Sequence, residues 1–286
     1  TTARSSEEVD AMAGDKSLDI RTWFGFRRTP FASDLNVKDI FIRPSIVEIT
    51  DRIRFAVQNA FYYAVIGEVG SGKSTAMRYA LGQLPPKQYS VITISAGNRS
   101  FNELLRQVSD AIGAKNRAFQ ATSVLRTIYE CYRNLRESGV SPVIFIDEAH
   151  LIPMETMSQL HLLSQQNLND TKVTPIVMCG QDGLFETLRS PFCKPVMSRV
   201  LDGYNLRSMA ADECSSYIRH QMNNIAGAGP DIFDDLAIKA IYQSSGGIPR
   251  KINAICLLSL DRAMRRKEQV VTADMIREVT GNWWER

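Results

Sequence analysis

Gly67-Glu68-Val69-Gly70-Ser71-Gly72-Lys73-Ser74 reads G-x-x-x-x-G-K-S without a mismatch. The apolar run 62–66 precedes it, and a helical pattern over 72–83 comes after it. Strand, loop, helix is the context that a phosphate-binding loop requires. The glycines let the backbone turn its N–H groups inward and form a nest for phosphate oxygens. The N-terminus of the next helix adds partial positive charge. Lys73 is a point charge for the β- and γ-phosphates, and Ser74 offers a hydroxyl to Mg²⁺. Thr75 is a second hydroxyl, one position past the metal-facing one. The sequence thus predicts a site for ATP and Mg²⁺ along Gly67, Glu68, Val69, Gly70, Ser71, Gly72, Lys73, Ser74 and Thr75. A glycine-rich turn that binds nothing is the competing reading; the complete match and its flanks argue against it.

Downstream, Val143-Ile144-Phe145-Ile146 is an apolar run that ends in Asp147-Glu148. A short, wholly apolar run reads as a buried central strand. Carboxylates at the carboxyl end of such a strand lie where open α/β sheets bind ligands. Asp147 is the candidate metal ligand, directly or through water. Glu148 is the candidate base for the attacking water. An N-cap pair for the following helix is the alternative. Asp147-Glu148-Ala149-His150 also spells a helicase box, but no other helicase motif accompanies it, and His150 reads as incidental.

The same alternation continues on both sides. Helices are predicted at 45–59, 72–83, 101–112, 123–137 and around 155–167, with strands at 62–66, 91–94, 143–146 and 175–179. This α/β pattern implies a parallel sheet covered by helices on both faces. After about Ser208 strand signals stop, and helices are predicted at 211–226, 234–244, 249–266 and 272–280. The expected organisation is a polar tail at 1–17, an α/β nucleotide-binding domain at 18–207 and a small all-helical lid domain at 208–286. An aromatic and basic segment, 18–44, opens the α/β part.

Composition narrows the class. An apolar fraction of 44 % and a charged fraction of 23 % are ordinary for a globular protein. No apolar run reaches the ~18–20 residues that span a bilayer, and no signal-peptide layout opens the chain. A cytoplasmic location is the expectation. The five cysteines and three histidines form no metal-ligand spacing. A net charge of +3 is too small to argue nucleic-acid binding by itself.

The phosphate loop, the acidic strand end, a third strand followed by Gln181, then Arg199 and a helical C-terminal part together resemble the AAA+ ATPases. The resemblance implies that Gln181 senses the γ-phosphate or attacking water, with helix capping as the alternative. It implies that Arg199 is an arginine finger that reaches a neighbouring subunit's nucleotide. Arg189 competes for that role, and either could be a solvated surface arginine. Gly246-Gly247-Ile248-Pro249-Arg250 resembles the family's second sensor motif, with Arg250 on the nucleotide. An interface of that kind is head-to-tail, so a homo-oligomer, ring or helical filament, is implied.

Phe24-Gly25-Phe26-Arg27-Arg28-Thr29-Pro30-Phe31, the phosphate loop, Asp147-Glu148-Ala149-His150 and Cys179-Gly180-Gln181 look more narrowly like the ExeA (GspA)-type ATPases. In that group the aromatic-proline segment lies against the nucleotide, so Phe31 and residues 41–44 could flank adenine; aromatic core packing is the other reading. Two jobs use this module. One is a secretion ATPase with a membrane helix and a cell-wall-binding domain after it. The other is a transposition regulator of the TnsC, TniB and MuB kind, which polymerises on double-stranded DNA with ATP and recruits a transposase and target-selection proteins. The absence of a membrane span up to Arg286 favours the second as the expectation. On it, Asn98, Arg99, Ser100, Lys115 and Arg117 are candidate DNA-phosphate contacts, giving binding that depends on salt and not on base sequence.

Overall fold

The computed structural model describes residues 19–32, 36–114, 120–164 and 173–281. They form two compact units. Ile42–Arg207 is the first; the residues up to Phe41 join those from Ser208 onward in the second. The tail at 1–17 lies outside the described residues.

Helix α1 (Ile20–Phe24) opens the described chain and belongs to the second unit. The first unit comprises α2 (Pro44–Gln58), β1 (Tyr62–Ile66), α3 (Lys73–Gly82), β2 (Tyr89–Ser95), α4 (Phe101–Ala111) and α5 (Ala121–Glu137). It continues as β3 (Ser141–Asp147), α6 (Met154–Ser158), β4 (Ile176–Gly180), α7 (Gly183–Arg189), α8 (Lys194–Met197) and β5 (Val200–Asn205). The strands pair in the order β2-β3-β4-β1-β5, and each described pairing is parallel.

Strand periodicity sorts the core into two layers. Tyr62, Ala64 and Ile66 of β1 pack with Leu104, Leu105 and Val108 of α4 and with Val124, Ile128 and Tyr132 of α5. Tyr63 and Val65 point the other way, onto Ile46, Ile49 and Ile53 of α2 and Ala76, Met77 and Ala80 of α3. Successive strand residues face opposite sides, so a run of five buried residues serves both layers. Each fully buried Ile or Leu contributes ~1.5–3 kcal/mol.

Two local expectations change. β5 carries no apolar run (Val200-Leu201-Asp202-Gly203-Tyr204-Asn205) and was not foreseen. It is a sheet edge that hydrogen-bonds β1 on one side, so pairing rather than burial makes it a strand. The helix expected around 155–167 is broken. It comprises α6 and a tight turn at Leu160–Leu163, and the positions from 165 fall outside the described residues.

The second unit holds α9 (Ala211–His220), α10 (Asp235–Ser245), α11 (Pro249–Arg265) and α12 (Ala273–Gly281). α9 runs into a π-helical turn, Gln221–Ala226. That turn receives the N-terminal segment: Arg27 N donates to Ala226 O (2.7 Å), and Phe31 N donates to the buried Gln221 Oε1 (3.0 Å). Phe31 packs edge-on against Phe233 and Tyr217, and Phe41 against Tyr217. The aromatic segment is therefore core of the helical unit rather than the opening of the α/β unit, and core packing is the reading that describes Phe31.

Gly247 has φ +73°, and a Cβ there would sit 2.0 Å from Met209 O, whose own N–H donates to Gly247 O (2.8 Å). Gly247→Ala is expected to cost on the order of 2–4 kcal/mol from backbone strain and overlap. Chemical unfolding followed by helical circular dichroism checks this; an unchanged midpoint contradicts it.

Candidate functional site

The carboxyl ends of β1, β3 and β4 meet on one rim of the first unit. Ile66 pairs with Gly180, and Ile146 with Met178. The phosphate loop, Asp147-Glu148 and Gln181 therefore leave the sheet side by side, with β4 between the other two.

The loop between β1 and α3 is tightly built. A Cβ on Gly67 would lie 2.5 Å from Leu206 O, so only glycine lets the chain pass there. Lys73 is 8 % exposed, and its Nζ donates to Gly67 O (2.8 Å) and Glu68 O (2.9 Å). The ammonium is thus held within the loop it would serve. Ser71 Oγ is buried without a hydrogen-bond partner. The α3 N-terminus has no side-chain cap, leaving its first N–H groups to another acceptor. Ser74 and Thr75 are exposed on its first turn, as are Glu68 and Val69 on the loop. An orphaned hydroxyl, uncapped N–H groups and an anchored ammonium fit the phosphates of a nucleotide.

Arg43 was missed by sequence reasoning, which treated residues 41–44 as an adenine flank. It is 3 % exposed, and its Nη2 donates to Ser71 O (3.3 Å) and Arg207 O (3.0 Å). A buried guanidinium thus braces the phosphate loop. Nothing in the sequence marks it, because its acceptors are main-chain carbonyls far along the chain.

At the end of β3, Asp147 Oδ1 accepts the Glu148 N–H (2.9 Å). Glu148 has φ +52°, ψ +34°, the left-handed region that costs a non-glycine residue of order 1 kcal/mol. Its carboxyl is 44 % exposed and stands 3.4 Å from His150 Nδ1. Beneath them, burial pushes the Cys179 thiol up to about 12, and the nearby Asp147 carboxylate pushes the same way. Gln181 O accepts the Leu184 N–H (2.9 Å) at the start of α7, whose N-cap is Asp182, while the Gln181 side chain turns to His150 Nε2 (2.9 Å).

The other sequence candidates lie apart. Arg199 immediately precedes β5, and Val200 pairs with Tyr62, at the end of β1 away from the loop. A strand length, roughly 15–20 Å, separates it from its own chain's phosphate loop. Its Nη1 donates to Pro195 O (2.6 Å). Arg189 lies over the Phe185 ring, 6.0 Å from the centroid. Arg250 is exposed on the first turn of α11, in the second unit.

Among the DNA candidates, Asn98 and Arg99 are exposed after β2. Ser100 is the N-cap of α4 and closes a capping box with Glu103, so its hydroxyl serves the helix. The same bonds hold the Glu103 carboxyl below its ordinary value. Lys115 and Arg117 lie outside the described residues. Late in α11 and just after it, Arg262 and Arg266 meet Glu278, and Arg265 meets Asp261.

The parallel sheet, the phosphate loop on its rim and the helical C-terminal unit together have the P-loop AAA+ fold. Residues 58–188 match the family model described as AAA domain. The chain is similar to General secretion pathway protein A of Aeromonas hydrophila, 28 % identical over 261 residues that cover 88 % of this chain and 46 % of that protein. It therefore spans about half the length of that relative. Among solved structures it resembles Cdc6p of Pyrobaculum aerophilum (TM-score 0.69, 13 % identity, covering 87 % of this chain and 69 % of that one). It also resembles the Aeropyrum pernix ORC2 protein (0.67, 13 %, 88 % and 71 %). A third match is the Thermotoga maritima RuvB Holliday junction branch migration motor (0.52, 17 %, 82 % and 68 %). At these identities the three show the fold alone.

The similarity to a secretion protein overturns the transposition reading. The curated relative is a general secretion pathway protein, not a transposition regulator. The expected transposase and target-selection partners lose their support with it. That relative is about twice as long as the stretch matched here. A missing membrane span up to Arg286 therefore cannot decide between the two jobs. Among the described residues no helix is long and apolar enough to cross a membrane.

Proposed function

We propose that this chain is the ATPase module of a general secretion pathway A-type protein, binding and hydrolysing ATP to drive or time a step of secretion. The observation that carries the reading is the extent of the similarity: 261 aligned residues, 88 % of this chain, run through the phosphate loop and the acidic strand end into the helical unit.

In this reading Gly67–Ser74 binds the phosphates through main-chain N–H groups, and Lys73 turns from the loop carbonyls to them. Ser74 and Asp147 would hold Mg²⁺, which when bound neutralises charge on the phosphates. Glu148 takes a proton from the attacking water, and Gln181 orients it. Arg199 acts on the site of a second copy, because it sits a strand length from its own loop. Hydrolysis therefore needs a head-to-tail oligomer.

Lys73→Ala is expected to lower ATP affinity by about 100-fold, since it removes a charge-assisted contact worth ~2–3 kcal/mol. Titration with a fluorescent ATP analogue checks this. The cellular role is tested by exchanging the matched region of General secretion pathway protein A for this chain and measuring secretion. Restored secretion that Lys73→Ala abolishes supports the reading. Active ATPase without restored secretion overturns it.

A further inference from the structure

We propose that His150 is a positioning residue, tying the Glu148 carboxylate to the Gln181 amide so that the ends of β3 and β4 act as one unit. The inference rests on the reading of Glu148 as the group that activates water.

The geometry assigns the tautomer. Gln181 Nε2 lies 2.9 Å from His150 Nε2. An amide nitrogen only donates, so the ring nitrogen it meets accepts. A proton on Nδ1 then faces Glu148 Oε2, 3.4 Å away. That contact is longer than a good hydrogen bond of ~2.9 Å. Nδ1 is buried and has no hydrogen-bond partner, so Glu148 is the acceptor within its reach. Loose contacts of this kind around reacting groups shorten when the substrate complex forms.

The imidazole has a place made for it. It is 14 % exposed, and a Cβ on Gly180 would meet His150 N at 3.0 Å and Nδ1 at 3.3 Å. Gly180 thus keeps the space where the ring crosses from β3 to β4. Glu148 occupies a left-handed backbone conformation just before that crossing, and strained backbone at a strand end is held by its surroundings. Two otherwise separate side chains, from strand ends that are neighbours in the sheet, therefore share one ring. Movement of Gln181 is passed to Glu148 through a rigid group rather than through solvent.

A mutant cycle on steady-state ATP turnover tests this. The set is wild type, His150→Ala, Gln181→Ala and the double variant, with Lys73→Ala as the binding-deficient control and His150→Gln as a variant of similar size should alanine unfold the site. Positioning residues of this kind are worth ~10–100-fold. Each single variant is expected to lose at least about 10-fold in kcat with KM within about 2-fold, and the double variant to lose no more than the worse single one. Independent losses would instead multiply to about 100-fold or more. Multiplying losses, a KM rise with unchanged kcat, or His150 variants with wild-type kcat would each overturn the proposal. Absence of turnover in the wild type would sink the hydrolytic reading itself, a result distinct from any of these.

Discussion

Arg199→Ala is expected to cut ATP turnover by about 10³-fold or more while ATP affinity stays within about 2-fold, because a finger supplied in trans stabilises the transition state and not the bound ground state. The geometry behind this is the direction of β5. Val200 pairs with Tyr62 and Asn205 with Ile66, so the strand ends at the loop and Arg199 precedes its far end. Within one chain the Arg199 guanidinium donates to Pro195 O. In the proposed head-to-tail oligomer a second copy would bring that end of its sheet to the first copy's loop. The decisive measurement is mixing. Arg199→Ala and Glu148→Gln should each be nearly inactive alone. Mixed in equal amounts they should regain a measurable share of turnover, since some interfaces pair an intact Glu148 with an intact Arg199. Mixtures that stay inactive, or wild-type rates in Arg199→Ala with the loss moved to Arg189→Ala, contradict the assignment.

Glu148→Gln is expected to lower kcat by ~10²–10⁴-fold, the worth of a positioned base, which is ~3–5 kcal/mol of barrier. Nucleotide affinity should hold, because Glu148 is not among the groups that line the loop. The substitution keeps the size of the side chain and keeps an oxygen facing His150. A fall in activity is then due to lost basicity rather than lost packing. Isothermal titration with ATP beside a phosphate-release assay separates the two quantities. Turnover within a few-fold of wild type would remove Glu148 from the chemistry and leave Asp147 as the acid group of the site.

Phosphate-loop chemistry was legible because it is local. Strand, glycines, lysine and serine are consecutive, and their spacing alone defines the nest. Asp147-Glu148 was legible because an apolar strand announces itself before its polar end. β5 was not, since an edge strand needs only a partner's backbone groups on one side and can carry Asp202, Gly203 and Asn205. The aromatic segment was assigned to the wrong unit because apolar content says that Phe26 and Phe31 are buried but not against what. His150 was set aside as incidental for a related reason. Its partners Glu148 and Gln181 are brought together by β3 and β4 pairing, which no spacing in the chain encodes.

By itself, then, the sequence determined the layer architecture and the identity of the phosphate-binding loop, because both depend on short-range periodicity and contiguous motifs. Only the tertiary structure decided that Arg43 braces that loop, that Phe31 belongs to the helical unit's core, that Arg199 precedes β5 at the end of the sheet opposite the loop and that the His150 ring lies between Glu148 and Gln181. Each of those is a contact between residues far apart in the chain or on adjoining strands. Such contacts are set by strand order and register, which come from the packing of the whole chain rather than from any one stretch of it.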